Sequence, residues 1–157
     1  MVVARRSLLF VIAGPGAAMA AGDPVLELHG AVAPPSPRRL DLAALDAIGR
    51  VELTTRTPWT QGPQRFLGVP LAQLLAAVGA RGDTLRAEAL NDYAITMPLP
   101  EVLEADAFIA SRQDGAPMPV RHRGPFWLVF PWSQRPELDS AMFRQRSVWQ
   151  LRRLDIA

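Results

Sequence analysis

Apolar and polar residues alternate along much of the chain, and the period changes often enough to divide it into many short elements. Val25-Leu26-Glu27-Leu28-His29-Gly30 alternates and predicts a first strand. A proline-rich turn follows at 33–37. Asp41 is suited to N-cap a short helix over 42–48, where Leu42, Leu45 and Ile48 recur at helical spacing before Gly49 ends it. Residues 51–57 form a β-branched, extended run. Pro58 pushes Thr57 away from the helical region and offers no N–H to a ladder, so the strand stops and Trp59 stands on the loop beyond it.

A second helix enters with Pro70 in its first turn and closes at Gly79, with Leu71, Leu74, Leu75 and Val78 on its buried face. Strands at 84–90 and 94–97 are joined by Asn91-Asp92-Tyr93, and a short helix occupies 100–105. A strand at 108–113 runs into the turn Asp114-Gly115. An apolar strand at 126–131 follows, then an alternating strand at 147–151, which puts Trp149 in the core, and a last strand at 153–156. Many short strands with a few short helices predict an α+β or mostly-β domain.

Composition narrows the context. A chain of 157 residues is long enough for one domain with a real core. The first 20 residues read as a signal peptide rather than as fold. Arg5-Arg6 precede an apolar stretch broken by Gly14-Pro15-Gly16, and Ala18-Met19-Ala20 forms a small-residue cleavage site near Ala20. Arg5-Arg6-Ser7-Leu8-Leu9 is also a partial match to a twin-arginine signal. Residues 21–157 are then a single exported domain with no further apolar run of membrane-spanning length.

The basic residues are all arginine. Removal of Arg5 and Arg6 reduces the 17 basic residues to 15, against 15 acidic ones, so the exported domain is formally neutral. With neither a basic stripe nor a nucleic-acid compartment, nucleic acid is not an expected partner. Absence of cysteine means no disulfides, no thiolate ligand and no thiolate nucleophile.

Familiar catalytic patterns are missing. His29 and His122 lie far apart and belong to no ligand cluster, there is no G-x-S-x-G, G-x-G-x-x-G or P-loop, and Glu101 with Glu104 reads as a solvated helix face. What remains is an aromatic, arginine and amide set at strand ends and loops. Trp59, Tyr93, Trp127, Trp132 and Trp149 occur with Arg56, Asn91, Asp92, Arg112 and Arg123. Such a set binds planar heterocycles by stacking, with an amide or carboxylate at the ring edge. The competing reading is that two of these tryptophans are core, the fate expected for Trp149 and, on composition alone, the commoner one for Trp59.

Several segments match one family in order: Thr55-Arg56-Thr57-Pro58-Trp59, Phe66-Leu67-Gly68-Val69-Pro70-Leu71-Ala72-Gln73-Leu74-Leu75, Ala89-Leu90-Asn91-Asp92-Tyr93-Ala94, Arg112-Gln113-Asp114-Gly115 and Arg123-Gly124-Pro125-Phe126-Trp127-Leu128-Val129-Phe130-Pro131. Together with Met97-Pro98 and Ser147-Val148-Trp149-Gln150-Leu151, they resemble small stand-alone relatives of the sulfite-oxidase-type molybdopterin-binding fold. The resemblance implies mixed sheets or a barrel of short strands. Catalytic members of that superfamily hold molybdenum through one cysteine on the strand equivalent to 51–57. Thr55 stands near that place here, and a hydroxyl substitutes poorly for a soft thiolate.

The small branch includes exported PruR-type pterin-binding proteins. The resemblance to them implies a non-catalytic periplasmic protein that binds a reduced, metal-free pterin. Its implied partner is the periplasmic domain of an inner-membrane signalling protein of the cyclic-di-GMP cyclase or phosphodiesterase type. Trp59 and Trp127 would then stack on or wall the pterin, and Asn91, Asp92 or Tyr93 would read its edge. Arg56, Arg112, Arg123 and Trp132 would line the rim. The rival implication is an oxidoreductase, or a subunit of one, that holds molybdopterin without cysteine ligation.

Overall fold

The computed structural model describes residues 22–157, so the expected leader at 1–20 lies outside the described residues. Ten strands and four helices follow in chain order. They are β1 Leu26–Gly30, β2 Arg38–Leu40, α1 Leu42–Gly49, β3 Val51–Thr55, β4 Gln64–Pro70, α2 Leu71–Ala77, β5 Thr84–Ala89, β6 Ala94–Pro98, α3 Leu99–Glu104, β7 Phe108–Gln113, β8 Ala116–Pro117, β9 Trp127–Val129, α4 Ala141–Arg146 and β10 Leu151–Ile156.

The strands form two five-stranded sheets. One has the order β2-β1-β10-β5-β6; the other runs β3-β4-β7-β8, with β9 also paired to β7. Every pairing is antiparallel except β1 with β10, which joins the two ends of the described chain. Both sheets keep open edges, so the α+β expectation holds as mixed sheets and not as a closed barrel.

Local chemistry explains the joints. Asp41 caps α1 by accepting the Ala44 N–H at 2.8 Å. Leu71, Leu74, Leu75 and Val78 are all buried, as the helical spacing requires. Pro70 stays extended at φ −55°, ψ 135° and caps α2 from outside instead of entering its first turn. Asp114 and Gly115 both take left-handed φ, 51° and 85°, which matches the twist of the β7–β8 hairpin. At Gly68 a Cβ would lie 1.9 Å from the Ile109 carbonyl oxygen, so only glycine lets β4 approach β7 there, beside a register shift at Leu67/Gly68.

The C-terminal third departs from expectation. The strand foreseen at 126–131 contracts to Trp127–Val129, all buried. The alternating run at 147–151 is not a strand before Leu151. Gln150 turns at φ 49° and donates its N–H to the Arg123 carbonyl at 2.9 Å, which breaks the ladder. Val148 is buried by accepting the Leu128 N–H at 2.9 Å, while Trp149 swings outward and is only partly buried. The expectation that Trp149 is a core strand residue is therefore corrected.

Candidate functional site

The turn after β3 brings Trp59 to the centre of the molecule's aromatic system. Thr57 shapes this turn: its hydroxyl accepts the Trp59 N–H at 3.2 Å and pairs with the Thr60 hydroxyl at 2.7 Å. Trp59 then meets each of the other three tryptophans, with ring centroids 5.9 Å from Trp127, 5.7 Å from Trp132 and 5.0 Å from Trp149. These tilted and edge-on arrangements are the favourable ones for aromatic quadrupoles.

Two halves of the cluster differ in access. Trp127 and Trp132 are 0% and 5% exposed, and each indole N–H is satisfied inside the protein. Trp127 donates to the Ser147 hydroxyl at 2.9 Å, and Trp132 donates to the Leu138 carbonyl at 3.1 Å. Trp59 and Trp149, only partly buried, instead line a cavity of about 270 Å³. Its opposite sides are the β5–β6 loop with Asn91 and Tyr93, and the end of α4 with Arg144 and Gln145. The Tyr93 hydroxyl donates to the Gln145 carbonyl at 2.9 Å and ties these two sides together.

Arg123 stacks against the back of the aromatic wall. Its guanidinium lies 5.4 Å from the ring centroids of both Trp127 and Trp149, and Nη2 donates to the Trp59 carbonyl at 3.1 Å. Arg123 also borders a neighbouring groove with Arg121, His122 and Trp149. No carboxylate lies within ion-pair distance of Arg121 or Arg123 among the described residues.

The sequence-derived set is thus split. Trp59, Asn91 and Tyr93 line the cavity, and Arg123 braces it. Trp127 and Trp132 back the wall from the core and present no open face. Arg112 is held elsewhere, in a two-point pair with Asp46 of α1 at 2.8 and 2.9 Å. Asp92, at φ 67°, points its carboxylate to Arg152 at 3.1 Å, and Arg56 is exposed outside the cavity. None of these three lines this cavity. Trp149, Arg144 and Gln145 are among the lining residues that sequence reasoning missed or sent to the core, with Ala89, Ser147 and Val148 completing the wall. Arg144 is already neutralised by Asp139, at 2.7 Å.

Charge perturbations lie away from the cavity. Hydrogen bonds from Arg86 and Arg152 hold the Glu88 carboxyl below the usual glutamate range. Arg65 does the same for Glu52.

Residues 43–134 match the oxidoreductase molybdopterin binding domain family, a span covering more than half of the chain. The chain belongs to that family. Its family span carries Thr55, Trp59, Asn91, Tyr93 and Arg123, whereas α4 and Trp149 lie beyond it. Among solved structures, the chain is similar to the sulfane dehydrogenase SoxCD from Paracoccus pantotrophus. The two share 23% identity and a TM-score of 0.62, over 85% of this chain and 38% of that one. This likeness shows a common fold, and this chain accounts for well under half of the SoxCD chain. No curated protein matches the sequence.

Family membership implies pterin-type binding, and the cavity offers stacking faces and amides for it. The donor set does not suit molybdenum. Thr55 is fully buried; its hydroxyl donates to the Arg56 carbonyl at 2.9 Å and accepts the Ser133 N–H at 2.9 Å. The chain has no cysteine, and no group of three or more His, Asp or Glu able to hold a metal occurs among the described residues. A hard hydroxyl already engaged on both sides is a poor exchange for a soft thiolate.

Proposed function

We propose that the chain is a non-catalytic, periplasmic pterin-binding protein that reports pterin occupancy to a membrane-bound signalling enzyme of the cyclic-di-GMP cyclase or phosphodiesterase type. The observation carrying this reading is the partly open aromatic cavity between Trp59, Trp149 and Tyr93, combined with a buried, doubly hydrogen-bonded threonine near the family's metal-ligand position. Stacking faces plus an amide suit a flat heterocycle, and the missing soft ligand argues for a metal-free pterin. Export is supported by the leader pattern at 1–20, and the signalling partner by the resemblance to PruR-type proteins.

A fixed cavity alone transmits nothing. Occupancy biases a partner only if the bound and free states differ in affinity for it. Thermal denaturation with tetrahydropterin and with oxidised pterin, alongside metal analysis of protein from the native host, tests this function. At a hundredfold excess over Kd, a bound pterin adds about 2.7 kcal/mol of stability. A pterin-dependent rise in Tm without molybdenum is expected, and no rise with either pterin would overturn the reading. Molybdenum at one per chain would replace it with the oxidoreductase alternative, which the family's chemistry favours.

A further inference from the structure

A second cavity lies on the far side of the segment that supports Trp59. It measures about 340 Å³ and runs along β3, between Val51, Leu53, Pro70, Leu103, Phe108 and Pro131. β3 is the edge strand of its sheet, and Val51 is 43% exposed. Open edges of this kind are usually shielded, because their free N–H and C=O groups template another strand.

Here the shielding is partial. Gln134 donates to the Thr54 carbonyl at 2.8 Å, and the Arg56 N–H donates to the Ser133 hydroxyl at 2.7 Å. Both backbone groups therefore face the outer side of β3. Alternate residues of an antiparallel strand point the same way, so the N–H and C=O of Glu52 face that outer side too, beyond the reach of the 133–134 cover. An unpaired stretch of strand thus opens directly onto an apolar groove.

The rim gives the occupant its sign. Arg135, on the groove wall, gathers Glu104, Asp106 and Glu137, at 3.0, 3.4 and 3.1 Å. Three carboxylates against one guanidinium leave two negative charges in excess at this end of the groove, where Glu52 is already paired with Arg65 and the exposed Arg56 stands at the other end of β3. The same charge disfavours a second copy, which would bring this acidic rim against itself.

We infer that the β3 edge and its groove dock an extended, cationic segment of the partner protein by strand addition, with alternate apolar side chains entering the groove. This inference rests on the signalling reading and deepens it by naming the docking face and the chemistry of what docks. One short segment links the two sites. Pro131 and Gln134 line the groove, while Trp132 between them packs edge-on against Trp59 at 5.7 Å. Main-chain pairing supplies affinity in this mode, and the alternate side chains supply specificity.

The test titrates an acetylated heptapeptide of alternating lysine and valine into the isotope-labelled exported chain, without pterin, and follows backbone amide shifts. Expected are saturable shifts centred on Val51–Leu53 and on residues 105–108, weakening as salt is raised. The double variant Glu104→Lys, Asp106→Asn should lose affinity at least tenfold. Both side chains are more than 70% exposed, and asparagine tolerates the left-handed φ of 55° at position 106, so the fold is retained. No saturable binding, shifts centred elsewhere, equal binding of a glutamate-valine peptide, or a concentration-dependent dimer through β3 would each overturn the inference. Pterin binding, measured separately by tryptophan fluorescence, distinguishes failure of this face from failure of the pterin reading.

Discussion

Trp127 and Trp149 have ring centroids 6.3 Å apart in one aromatic cluster, yet they occupy opposite situations. Trp127 is fully buried in β9, against Phe66 at 5.4 Å, with its N–H held by Ser147. Trp149 precedes the turn at Gln150, shares the Arg123 guanidinium with Trp127 and lines the open cavity. The chemistry of the side chain is the same, so the difference comes from the backbone. A ladder on β7 seals the first, and the turn at Gln150 releases the second. One tryptophan stabilises the wall and the other presents it.

Substitution should separate the two roles. Trp127→Ala has the largest expected effect, a loss of about 3–5 kcal/mol of stability, because a fully packed aromatic leaves a cavity behind. Urea unfolding monitored by circular dichroism measures it, and a loss below about 1 kcal/mol would contradict the core assignment. Ser147→Ala tests the same side more gently. It strands the buried indole N–H of Trp127 and the Leu128 carbonyl that Ser147 bonds at 2.6 Å, at a cost of roughly 1–3 kcal/mol.

Trp149→Ala should do the reverse, with little change in stability but weaker tetrahydropterin binding. Stacking on an aromatic platform contributes about 1–3 kcal/mol, so Kd should rise from roughly fivefold to over a hundredfold. Unchanged affinity by fluorescence titration, with the fold intact, would remove Trp149 from the site. Tyr93→Phe is expected to act less strongly. It loses the hydroxyl bond to Gln145, worth about 0.5–1.5 kcal/mol, and loosens the β5–β6 loop from α4. Hydrogen exchange at both segments reports that loosening.

The smallest effect concerns pH. Glu88 is held below the ordinary glutamate value by hydrogen bonds from Arg86 and then Arg152. A depressed carboxyl contributes stability that is complete above the unfolded value, about 4.3, and is lost as pH falls through the lowered folded value. Acid titration of Tm should therefore be shallower in Glu88→Gln than in the parent chain. Identical profiles would show that this pair contributes nothing measurable, as is common for exposed ion pairs.

Much of this architecture was legible in one dimension. The spacing of Leu71, Leu74, Leu75 and Val78 fixed both a helix and its buried face. Asp114-Gly115 marked a hairpin because both positions need left-handed backbone. Thr57-Pro58 marked the end of an extended run, although the strand itself closes two residues earlier at Thr55, and delivered Trp59 to a turn, where a third-neighbour hydroxyl pair could hold it. These features are local: each depends on steric or hydrogen-bonding preferences within a few residues.

The site was only partly legible, and its misplacements share a cause. Arg112 and Asp92 carry suitable chemistry at suitable strand ends, but Asp46 and Arg152, distant in sequence, take them up. Trp149 alternates with its neighbours like a core residue, and nothing nearby reveals that the Arg123 carbonyl will capture the Gln150 N–H and turn the chain. On its own, the sequence determined three of the four helices, most of the strands, the family and the stock of aromatic, arginine and amide groups, because periodicity and turn chemistry act locally; β2, β4 and α4 went unmarked. Tertiary structure alone decided which tryptophans stay open, which arginines are left without an acid, and which edge of a sheet is uncovered. Those outcomes depend on partners separated by dozens of residues, whose meeting is fixed only when the two sheets pack.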